Sequence, residues 1–281
     1  MRDIFNLSAT PTMPVVVQPL LTFLQEQSDA DEYGRDPFLH ISQMYYMCPR
    51  AEVAITLTGQ KESITPALAA KFDIGHAMHH WYQNKYLGPM GVLIGTWKCV
   101  RCLKTFEGPM PETKGCQDEH GHVWEYVEKQ CVLPKYGIIG KTDGIIERGD
   151  GAWVMDLKTQ DPYLFSKCTE PYEAHKMQVN LYMEALGISR GLVVYIDKSA
   201  NDKNFPCKEF RVDKDQALLD SAYEKARAYW NALKTGEMPE CTCPEKKKKK
   251  CPSCQSGVDF GLLLKAKIKD GAITIPEGVD C

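Results

Sequence analysis

The sequence predicts an α/β protein built on a mixed sheet, and three observations lead to this prediction. Five apolar or alternating runs suit β-strands, at residues 124–133, 138–146, 152–157, 192–196 and 208–212. An Asp-Gly pair between the second and third runs is typical of a β-hairpin. A helical pattern over residues 171–186 separates the third run from the fourth. The first four of these strands and the helix follow the order β-β-β-α-β, which gives a mixed sheet with helices against it.

Composition and charge narrow the class of protein. The chain has 281 residues, of which 43% are apolar, so it can supply a core of ordinary size for one large domain. Its formal net charge is −3, so a nucleic-acid-binding surface would have to be a local patch. No run approaches the length of a membrane span, and residues 13–24 lack a basic flank and a cleavage site of small residues. We therefore expect a cytoplasmic protein with no membrane partner.

The first part of the chain is predicted to be helical after an arm without motifs. Residues 1–36 are rich in Pro, Thr and Asp apart from an apolar run. A helix is expected to open at Ser42, as its N-cap, and to extend through Leu57. A longer helix is expected over residues 66–87, and it contains His76, His79 and His80. Histidines hydrogen-bonded in a helix interface are the ordinary interpretation of such a group.

The hairpin predicted around Asp150 brings charged groups together. Strand pairing places Asp143 beside Asp156, and Lys158, two residues further on, faces the same side of its strand. Carboxylates this close repel each other unless a cation lies between them, and oxygen ligands suit Mg²⁺ or Mn²⁺. The alternative is that Asp143 begins a turn and that Asp156-x-Lys158 is an ordinary strand end, because a single D-x-K is common.

The following helical segment strengthens the metal-site interpretation. Gln178 and Tyr182 are four residues apart and therefore share a helix face. Four motifs then follow one another along the chain: Gly75-x-x-x-His79, Gly140-x-x-Asp143, Asp156-x-Lys158 and Gln178-x-x-x-Tyr182. In these motifs the chain resembles the RecB-like branch of the PD-(D/E)XK nucleases, to which CRISPR-adaptation nucleases, the AddB nuclease domain and many phage exonucleases are similar. The resemblance covers about residues 40 to 255. Thr142 stands where the superfamily name places proline.

This resemblance implies a restriction-endonuclease-like core and a metal-dependent DNA nuclease, an exonuclease of the phage recombination, repair or DNA-degradation type. Such a protein would act on single strands or duplex ends, with a possible protein partner, in the cytoplasm of a bacterial or phage-infected cell. One alternative is a non-catalytic nucleic-acid-binding subunit, since a fold does not guarantee its chemistry. Intact motifs argue against it. A zinc-rich interaction module would leave the D-x-K and Q-x-x-x-Y pairs unexplained.

The resemblance also implies roles for individual residues. The catalytic Mg²⁺ or Mn²⁺ ligands would be His79, Asp143, Asp156 and the carbonyl of Leu157. Lys158 would orient the attacking water and stabilise developing charge, whereas Gln178 and Tyr182 would fix the lysine and the phosphate.

A cysteine unit interrupts the chain at residues 95–123. The spacing Cys99-x2-Cys102-x13-Cys116-x3-His120 suits a closed tetrahedral zinc site of thiolates and imidazole. Glu119 stands where a zinc ribbon would have its last cysteine, so His120 or His122 must replace it, and we favour His120. The low apolar content of this insert makes its folding dependent on the metal.

A second cysteine group follows near residue 250. Of the twelve cysteines, most are clustered, which favours metal binding over disulfides. The spacing is Cys241-x-Cys243-x7-Cys251-x2-Cys254, enclosing five lysines at 246–250. In one interpretation three of these cysteines join Cys48 around a [4Fe-4S] cluster, because Cys48-Pro49-Arg50 resembles the matching element of cluster-containing RecB-like nucleases. In the other, all four bind a second zinc ion and Cys48 is spare. We favour the cluster, although the spacing departs from the family's C-x2-C-x5-C. The lysines form a solvated loop or hold phosphates.

These features divide the chain into an arm (1–36), a helical part (37–94), the zinc insert (95–123), the nuclease core (124–240), the cysteine group (241–257) and a tail (258–281). The core ends with a helix at 215–234 whose apolar stripe is expected to be buried.

Overall fold

A computed structural model of the protein describes residues 22–23, 37–59, 65–116, 121–199, 206–243 and 258–280. The strands are β1 Leu39–His40, β2 Leu93–Cys99, β3 Thr105–Pro109, β4 Trp124–Val127, β5 Lys129–Leu133, β6 Ile138–Thr142, β7 Gly144–Arg148, β8 Gly151–Gln160, β9 Arg190–Asp197 and β10 Cys207–Asp213. The α-helices are α1 Pro49–Thr58, α2 Pro66–Trp81, α3 Pro162–Lys167, α4 Glu173–Leu186, α5 Gln216–Thr235 and α6 Phe260–Lys269. Short 3-10 turns cover Ile41–Gln43 and Pro134–Tyr136, and a π-helix covers Tyr82–Leu87.

The strands form two sheets. The larger has the order β10-β9-β8-β7-β2-β3. Strand β4 also pairs with β2, because β7 pairs only with the start of β2 and β4 pairs with its second half. The smaller has the order β1-β6-β5. Strands β8 and β9 are parallel, which requires the crossover made by α3 and α4, whereas β7 and β8 form the antiparallel hairpin that Asp-Gly predicted. The predicted α/β fold with a mixed sheet and flanking helices is confirmed.

Two predicted strands are each broken in the middle. The run at 124–133 divides at Glu128 into β4 and β5, and the run at 138–146 divides at Asp143 into β6 and β7. Each run lies in one sheet before its break and in the other sheet after it: β4 and β7 belong to the larger sheet, and β5 and β6 to the smaller. Because Lys129 pairs with Thr142 in the smaller sheet, the next positions, Glu128 and Asp143, lie side by side where the sheets diverge. The junction therefore holds two carboxylates.

The first predicted helix was wrong at its start. Ser42 lies in a 3-10 turn, and α1 begins at Pro49 with Cys48 as its N-cap. Proline suits the first helical position because its missing N–H would have no partner there, and its ring disfavours a helix running through from Ser42. The second helix covers the predicted residues 66–87, but its last turn is the π-helix.

Helices α1, α4, α5 and α6 pack on one side of the sheets around a large core. The predicted stripe of α5 lies in this core, with Leu218 at its edge: Leu219, Tyr223, Ala226, Tyr229, Trp230 and Leu233 are buried. A smaller core on the other face of the larger sheet surrounds Trp97, Met155 and Leu157. In β8, Val154 faces the first core while Met155 and Leu157 face the second, so Asp156 points toward the α4 side.

Two regions carry structure that the sequence did not predict. Residues 95–123, expected to be a separate insert, contain most of β2 and all of β3, so they extend the larger sheet. The tail contains α6, whose Phe260 and Leu264 are buried in the main core. The arm at 1–36 lies outside the described residues apart from Thr22 and Phe23. Among the described helices, none combines the length and apolar character needed to cross a membrane.

Candidate active site

The hairpin holds its two aspartates opposite each other. Gly144 pairs with Met155, so the preceding Asp143 faces the following Asp156 across the strands. Asp143 Oδ2 accepts a 2.6 Å hydrogen bond from the backbone N–H of Leu157. The buried Thr142 hydroxyl donates to the carbonyl of Met155 at 2.9 Å. Thr142, at the proline position of the motif, thus cross-links the strands beside the two carboxylates.

Asp156 is paired with Lys158 on the same face of β8. The lysine Nζ lies 2.9 Å from Oδ1 and 2.8 Å from Oδ2 of this carboxylate, which is 1% exposed. Only the contact to Oδ1 has hydrogen-bonding geometry, so the buried Oδ2 retains an open lone pair. Asp156 Oδ2 therefore lies next to the Lys158 ammonium but accepts no hydrogen bond from it.

A third carboxylate and a histidine complete the junction between the sheets. His79 Nδ1, from α2, lies 3.2 Å from Asp143 Oδ1. Gln83 Nε2, from the π-helix, donates to Glu128 Oε1 at 3.2 Å and to the backbone carbonyl of Asp143 at 2.8 Å. One ligand atom each from His79, Glu128 and Asp143 lies within 4.8 Å of the other two. Sequence reasoning missed Glu128 and Gln83, although an acidic residue inside an alternating strand run was a signal.

Helix α4 carries the glutamine and tyrosine of the last motif. Gln178 Nε2 donates to the Tyr182 hydroxyl at 2.9 Å, and both side chains are buried. Burial raises the pKa of Tyr182, and the charges of Asp156 and Asp143 raise it further. The phenol therefore stays protonated beside the carboxylates, and its proton remains available to another acceptor because Gln178 is the donor between them.

His175, one turn earlier on α4, also belongs to this region. Its Nδ1 lies 2.7 Å from the hydroxyl of the fully buried Tyr195, which accepts from the backbone N–H of Tyr172 at 3.1 Å. The hydroxyl proton is thus left for His175 Nδ1. Burial, and secondarily the charge of Lys158, lowers the pKa of His175 to about 4. The imidazole is consequently neutral at neutral pH.

The first cysteine group converges as its spacing predicts, with one difference. Ligand atoms of Cys99, Cys102, Cys116 and His122 all lie within 4.8 Å of one another. His122 Nδ1 is 3.5 Å from Cys102 Sγ, and its ring stacks on Trp124. Burial raises the pKa of Cys99, but the N–H of Cys102 and the His122 ring outweigh this and bring it to about 5. The sequence allowed either His120 or His122 as the fourth ligand, and we favoured His120. His120 lies outside the described residues, and His122 is the histidine that lies beside the three cysteines.

The second cysteine group brings distant parts of the chain together. Cys48 Sγ lies 3.9 Å from Cys241 Sγ, and Cys243 joins them within 4.8 Å. Arg50 donates to the carbonyl of Pro239 at 3.2 Å and so fixes the start of α1 against the same segment. The remaining predicted ligands, Cys251 and Cys254, and the lysines at 246–250 lie outside the described residues.

A family model for the PD-(D/E)XK nuclease superfamily matches residues 44–257, most of the chain and all four motifs. The chain belongs to this superfamily. No curated protein sequence matches it significantly.

Some solved structures are weakly similar to this superfamily member. The protein SSO0001 has a TM-score of 0.45 at 14% identity, over 87% of this chain and 97% of that one. The alkaline exonuclease LHK-Exo from Laribacter hongkongensis has a TM-score of 0.42 at 12% identity, over 77% and 92% of the two chains. Its complex with dAMP has a TM-score of 0.44 at 14% identity, over 72% and 90%. The low values make this a weak likeness of fold, which bears on neither substrate nor mechanism.

The electrostatics of this PD-(D/E)XK centre separate its two aspartates. Burial would raise the pKa of Asp143, but the hydrogen bond from His79, the charge of Lys158 and the N–H of Leu157 lower it overall. Burial raises the pKa of Asp156 to about 6, and the charge of Asp143 adds to this effect against Lys158. Lys158 itself has a raised pKa despite burial, because Asp156 and Asp143 favour its charged form.

The residues present fit a hard divalent cation. Carboxylate oxygens and one imidazole nitrogen suit Mg²⁺ and Mn²⁺ better than a soft metal. Ligand atoms of His79, Glu128 and Asp143 already lie within 4.8 Å of one another, and the buried Asp156 Oδ2 has no hydrogen bond of its own. A buried carboxylate with an open lone pair and a raised pKa is in an unfavourable state that a bound cation would relieve.

Proposed function

We propose that this protein is a Mg²⁺- or Mn²⁺-dependent deoxyribonuclease of the RecB-like branch, an exonuclease acting in phage-type DNA recombination, repair or degradation. The observation that carries the proposal is the hairpin itself. Asp143, Asp156 and Lys158 converge there with His79 from α2, while α4 presents Gln178 and Tyr182 on the same side of β8. A chain that had lost catalysis would be under no physical requirement to retain two buried, opposed carboxylates.

The metal would be held by Asp143, Asp156, His79 and the carbonyl of Leu157. When bound, it would supply a Lewis acid that lowers the pKa of water and offsets negative charge on the scissile phosphate. Asp143 is kept ionised for this role by His79 and by the N–H of Leu157. Burial keeps the pKa of Asp156 raised even beside Lys158, so a bound metal would favour its ionised form further.

Lys158 would act as a positioned cation. Its ammonium is stabilised by two carboxylates, so it holds its proton at neutral pH and cannot serve as a general base in this arrangement. Its side chain is 22% exposed, which leaves the Nζ partly accessible from solvent. From this position it can orient a water molecule and stabilise the charge that develops on a phosphate oxygen.

Gln178 and Tyr182 would fix the groups around Lys158 and the phosphate. The Gln178 amide donates to the phenol oxygen, which orients the Tyr182 proton away from Gln178. Since Tyr182 cannot ionise beside the carboxylates, it remains a donor throughout the reaction. A buried, pre-oriented donor costs no reorganisation when charge develops on its acceptor.

The two cysteine groups would have structural roles. We assign zinc to Cys99, Cys102 and Cys116 with His122 as fourth ligand, since their atoms already converge. We assign a [4Fe-4S] cluster to Cys48, with Cys241 or Cys243 or both and the remaining donors from Cys251 and Cys254; a second zinc ion is the alternative. The substrate would be DNA, as single strands or duplex ends, in the cytoplasm.

A digestion experiment tests the proposed function. Purified protein is incubated with end-labelled single- and double-stranded DNA in Mg²⁺ or Mn²⁺, and products are resolved by length. We expect cleavage that stops with chelator and falls by about 10³-fold or more in Asp156→Asn and Lys158→Met, since each loses several kcal/mol of transition-state stabilisation. Products released stepwise from an end would support exonuclease action.

Asp150→Asn is the matched control, because Asp150 is an exposed carboxylate in the turn of the same hairpin. It should cleave like the parent. No metal-dependent cleavage by the parent, or full cleavage by Asp156→Asn in preparations checked for contaminating nuclease, would contradict the proposal.

A further inference from the structure

We propose that Glu128 is a further ligand of the catalytic metal, and that Gln83 is the positioning residue that holds Glu128 against Asp143. This inference rests on the proposed function, because it concerns the metal of the same site. None of the four motifs contains either residue.

The first support is the grouping of ligand atoms. Glu128, His79 and Asp143 each place one ligand atom within 4.8 Å of the other two, and Asp156 is not part of that group. The Asp156 carboxylate is held instead within 2.9 Å of Lys158. Of the acidic residues that the structure describes, Glu128 is therefore the one that completes a three-atom set with His79 and Asp143.

The second support is the break between the sheets. Lys129 and Thr142 are the last paired residues of β5 and β6 on that side. The next residues, Glu128 and Asp143, are no longer paired in this sheet, and their backbones diverge toward the larger sheet. Their side chains remain adjacent, with ligand atoms within 4.8 Å of each other. Neighbouring carboxylates raise each other's energy unless a positive charge lies near both. A junction that places two of them side by side is suited to a cation.

The third support is the way Gln83 spans the pair. Its one amide nitrogen donates to Glu128 Oε1 and to the Asp143 carbonyl, which the sheet leaves without a ladder partner. Gln83 is only 4% exposed, so these bonds are shielded from water. An amide is uncharged, so it fixes the geometry of the carboxylates without neutralising them. Their negative charge remains available to a metal.

Gln83 lies at the start of the π-helix, one turn after His79. The backbone N–H of Gly88 bonds to the carbonyl of Gln83, five residues earlier, at 2.9 Å. Gln83 follows His79 by one turn on the same helix face, so both side chains point to Asp143. The next residue, Asn84, accepts from the backbone N–H of Tyr126 at 2.6 Å and anchors β4 just before Glu128. π-helical turns are frequent at functional sites.

Metal binding by the full-length protein tests both roles separately from cleavage. Mn²⁺ is titrated into full-length protein from which a mild chelator has removed weakly bound divalent ions while leaving its thiolate-bound metals in place, and the free ion is followed by electron paramagnetic resonance. We expect Glu128→Gln to weaken Mn²⁺ binding by roughly 100-fold or more, since losing an outer-shell partner alone typically costs 10- to 100-fold. The substitution keeps the size of the side chain and a hydrogen-bonding partner for Gln83, so the melting temperature without added Mn²⁺ should be unchanged.

Gln83→Met should have a different signature. As a positioning change it should raise the Mn²⁺ concentration for half-maximal cleavage by about ten-fold, while the rate at saturating Mn²⁺ stays within about three-fold of the parent. Glu125→Gln is the matched control, because Glu125 is an exposed carboxylate on β4 three residues away. It should bind Mn²⁺ like the parent.

The outcomes distinguish this inference from the proposed function. If the parent binds Mn²⁺ and cleaves DNA, Asp143→Asn loses binding, and Glu128→Gln binds like the parent, then Glu128 is not a ligand and the nuclease assignment stands. An unchanged metal dependence in Gln83→Met would overturn the role of Gln83 alone. A parent that neither binds Mn²⁺ nor cleaves DNA would overturn the proposed function and the inference with it.

Discussion

The proposed catalytic centre and the cysteine groups are both suited to metals, but different interactions hold them in place. In the catalytic centre each acidic side chain has a protein partner: Asp143 has His79 and the N–H of Leu157, Asp156 has Lys158, and Glu128 has Gln83. These partners come from a sheet, a π-helix and an α-helix. The centre is thus largely preorganised by the fold, and its metal would serve chemistry more than stability.

In each cysteine group, by contrast, the candidate ligand side chains lie mainly next to one another. Cys102 and Cys116 lie in irregular segments around β3, and Leu103 beside them has a positive φ of 61°. Cys48 and Cys241 belong to segments far apart in sequence that meet at the N-terminus of α1. Cys102, Cys116 and Cys241 lie outside the strands and helices, so a metal would add a cross-link to segments that the regular backbone hydrogen bonds do not hold. This comparison predicts that replacing a cysteine lowers the free energy of unfolding. It also predicts that the effect of pH on that free energy reports on the residues around the proposed catalytic centre.

The largest effect on stability is expected from Cys48→Ser. A cross-link between positions 193 apart restricts the unfolded chain strongly, by about 5 kcal/mol in the loop-entropy model. Anaerobically purified parent protein should be brown with broad absorption near ~400 nm, and the variant should lose that absorption together with part of this free energy of unfolding. Absorption spectra, iron analysis and denaturant unfolding measure the three quantities. A colourless parent with two zinc ions, no iron, and melting identical to Cys48→Ser would decide for a zinc site without Cys48.

A smaller loss is expected from Cys99→Ser. The loop that Cys99 and His122 would close is much shorter, so the same model gives about 3 kcal/mol. The variant should also lose about one equivalent of zinc, measured by mass spectrometry of the metal content. Cys207→Ser, on β10 and hydrogen-bonded to Tyr82, is the matched control and should keep its zinc. Unchanged zinc content in Cys99→Ser would show that this group is not a zinc site.

The smallest effect is a pH dependence of stability in the region of the proposed catalytic centre. The pKa of His175 is lowered to about 4 in the folded protein, so its neutral state stabilises the fold above its unfolded pKa of about 6.5. That stability is lost as pH falls from about 6.5 toward 4, and at pH 5 the loss should be about 2 kcal/mol. His175→Gln should therefore lose about 2 kcal/mol less than the parent between pH 7 and pH 5. Parallel pH profiles in denaturant unfolding would show that His175 is not held neutral.

The parts of the site that the sequence predicted are those set by local periodicity. Asp156 and Lys158 share a strand face because side chains alternate, and Gln178 meets Tyr182 because a helix brings residues four apart together. The Asp-Gly turn fixed the hairpin and so opposed Asp143 to Asp156. The C-x2-C spacing similarly predicted that Cys99 and Cys102 converge. Each of these contacts follows from a few neighbouring residues.

Only the tertiary structure shows the contacts that form where strands leave a sheet. A run of alternating residues looks the same whether it stays in one sheet or crosses between two, so the breaks at Glu128 and Asp143 had no periodic signal. Gln83 meets Glu128 across 45 residues and the Asp143 carbonyl across 60. The π-helix that contains Gln83 differs from an α-helix by one residue in its hydrogen-bond register, a difference that composition does not encode. Packing of the helix against the diverging strands sets these contacts, because burial there leaves each polar group only the partners that the fold brings to it.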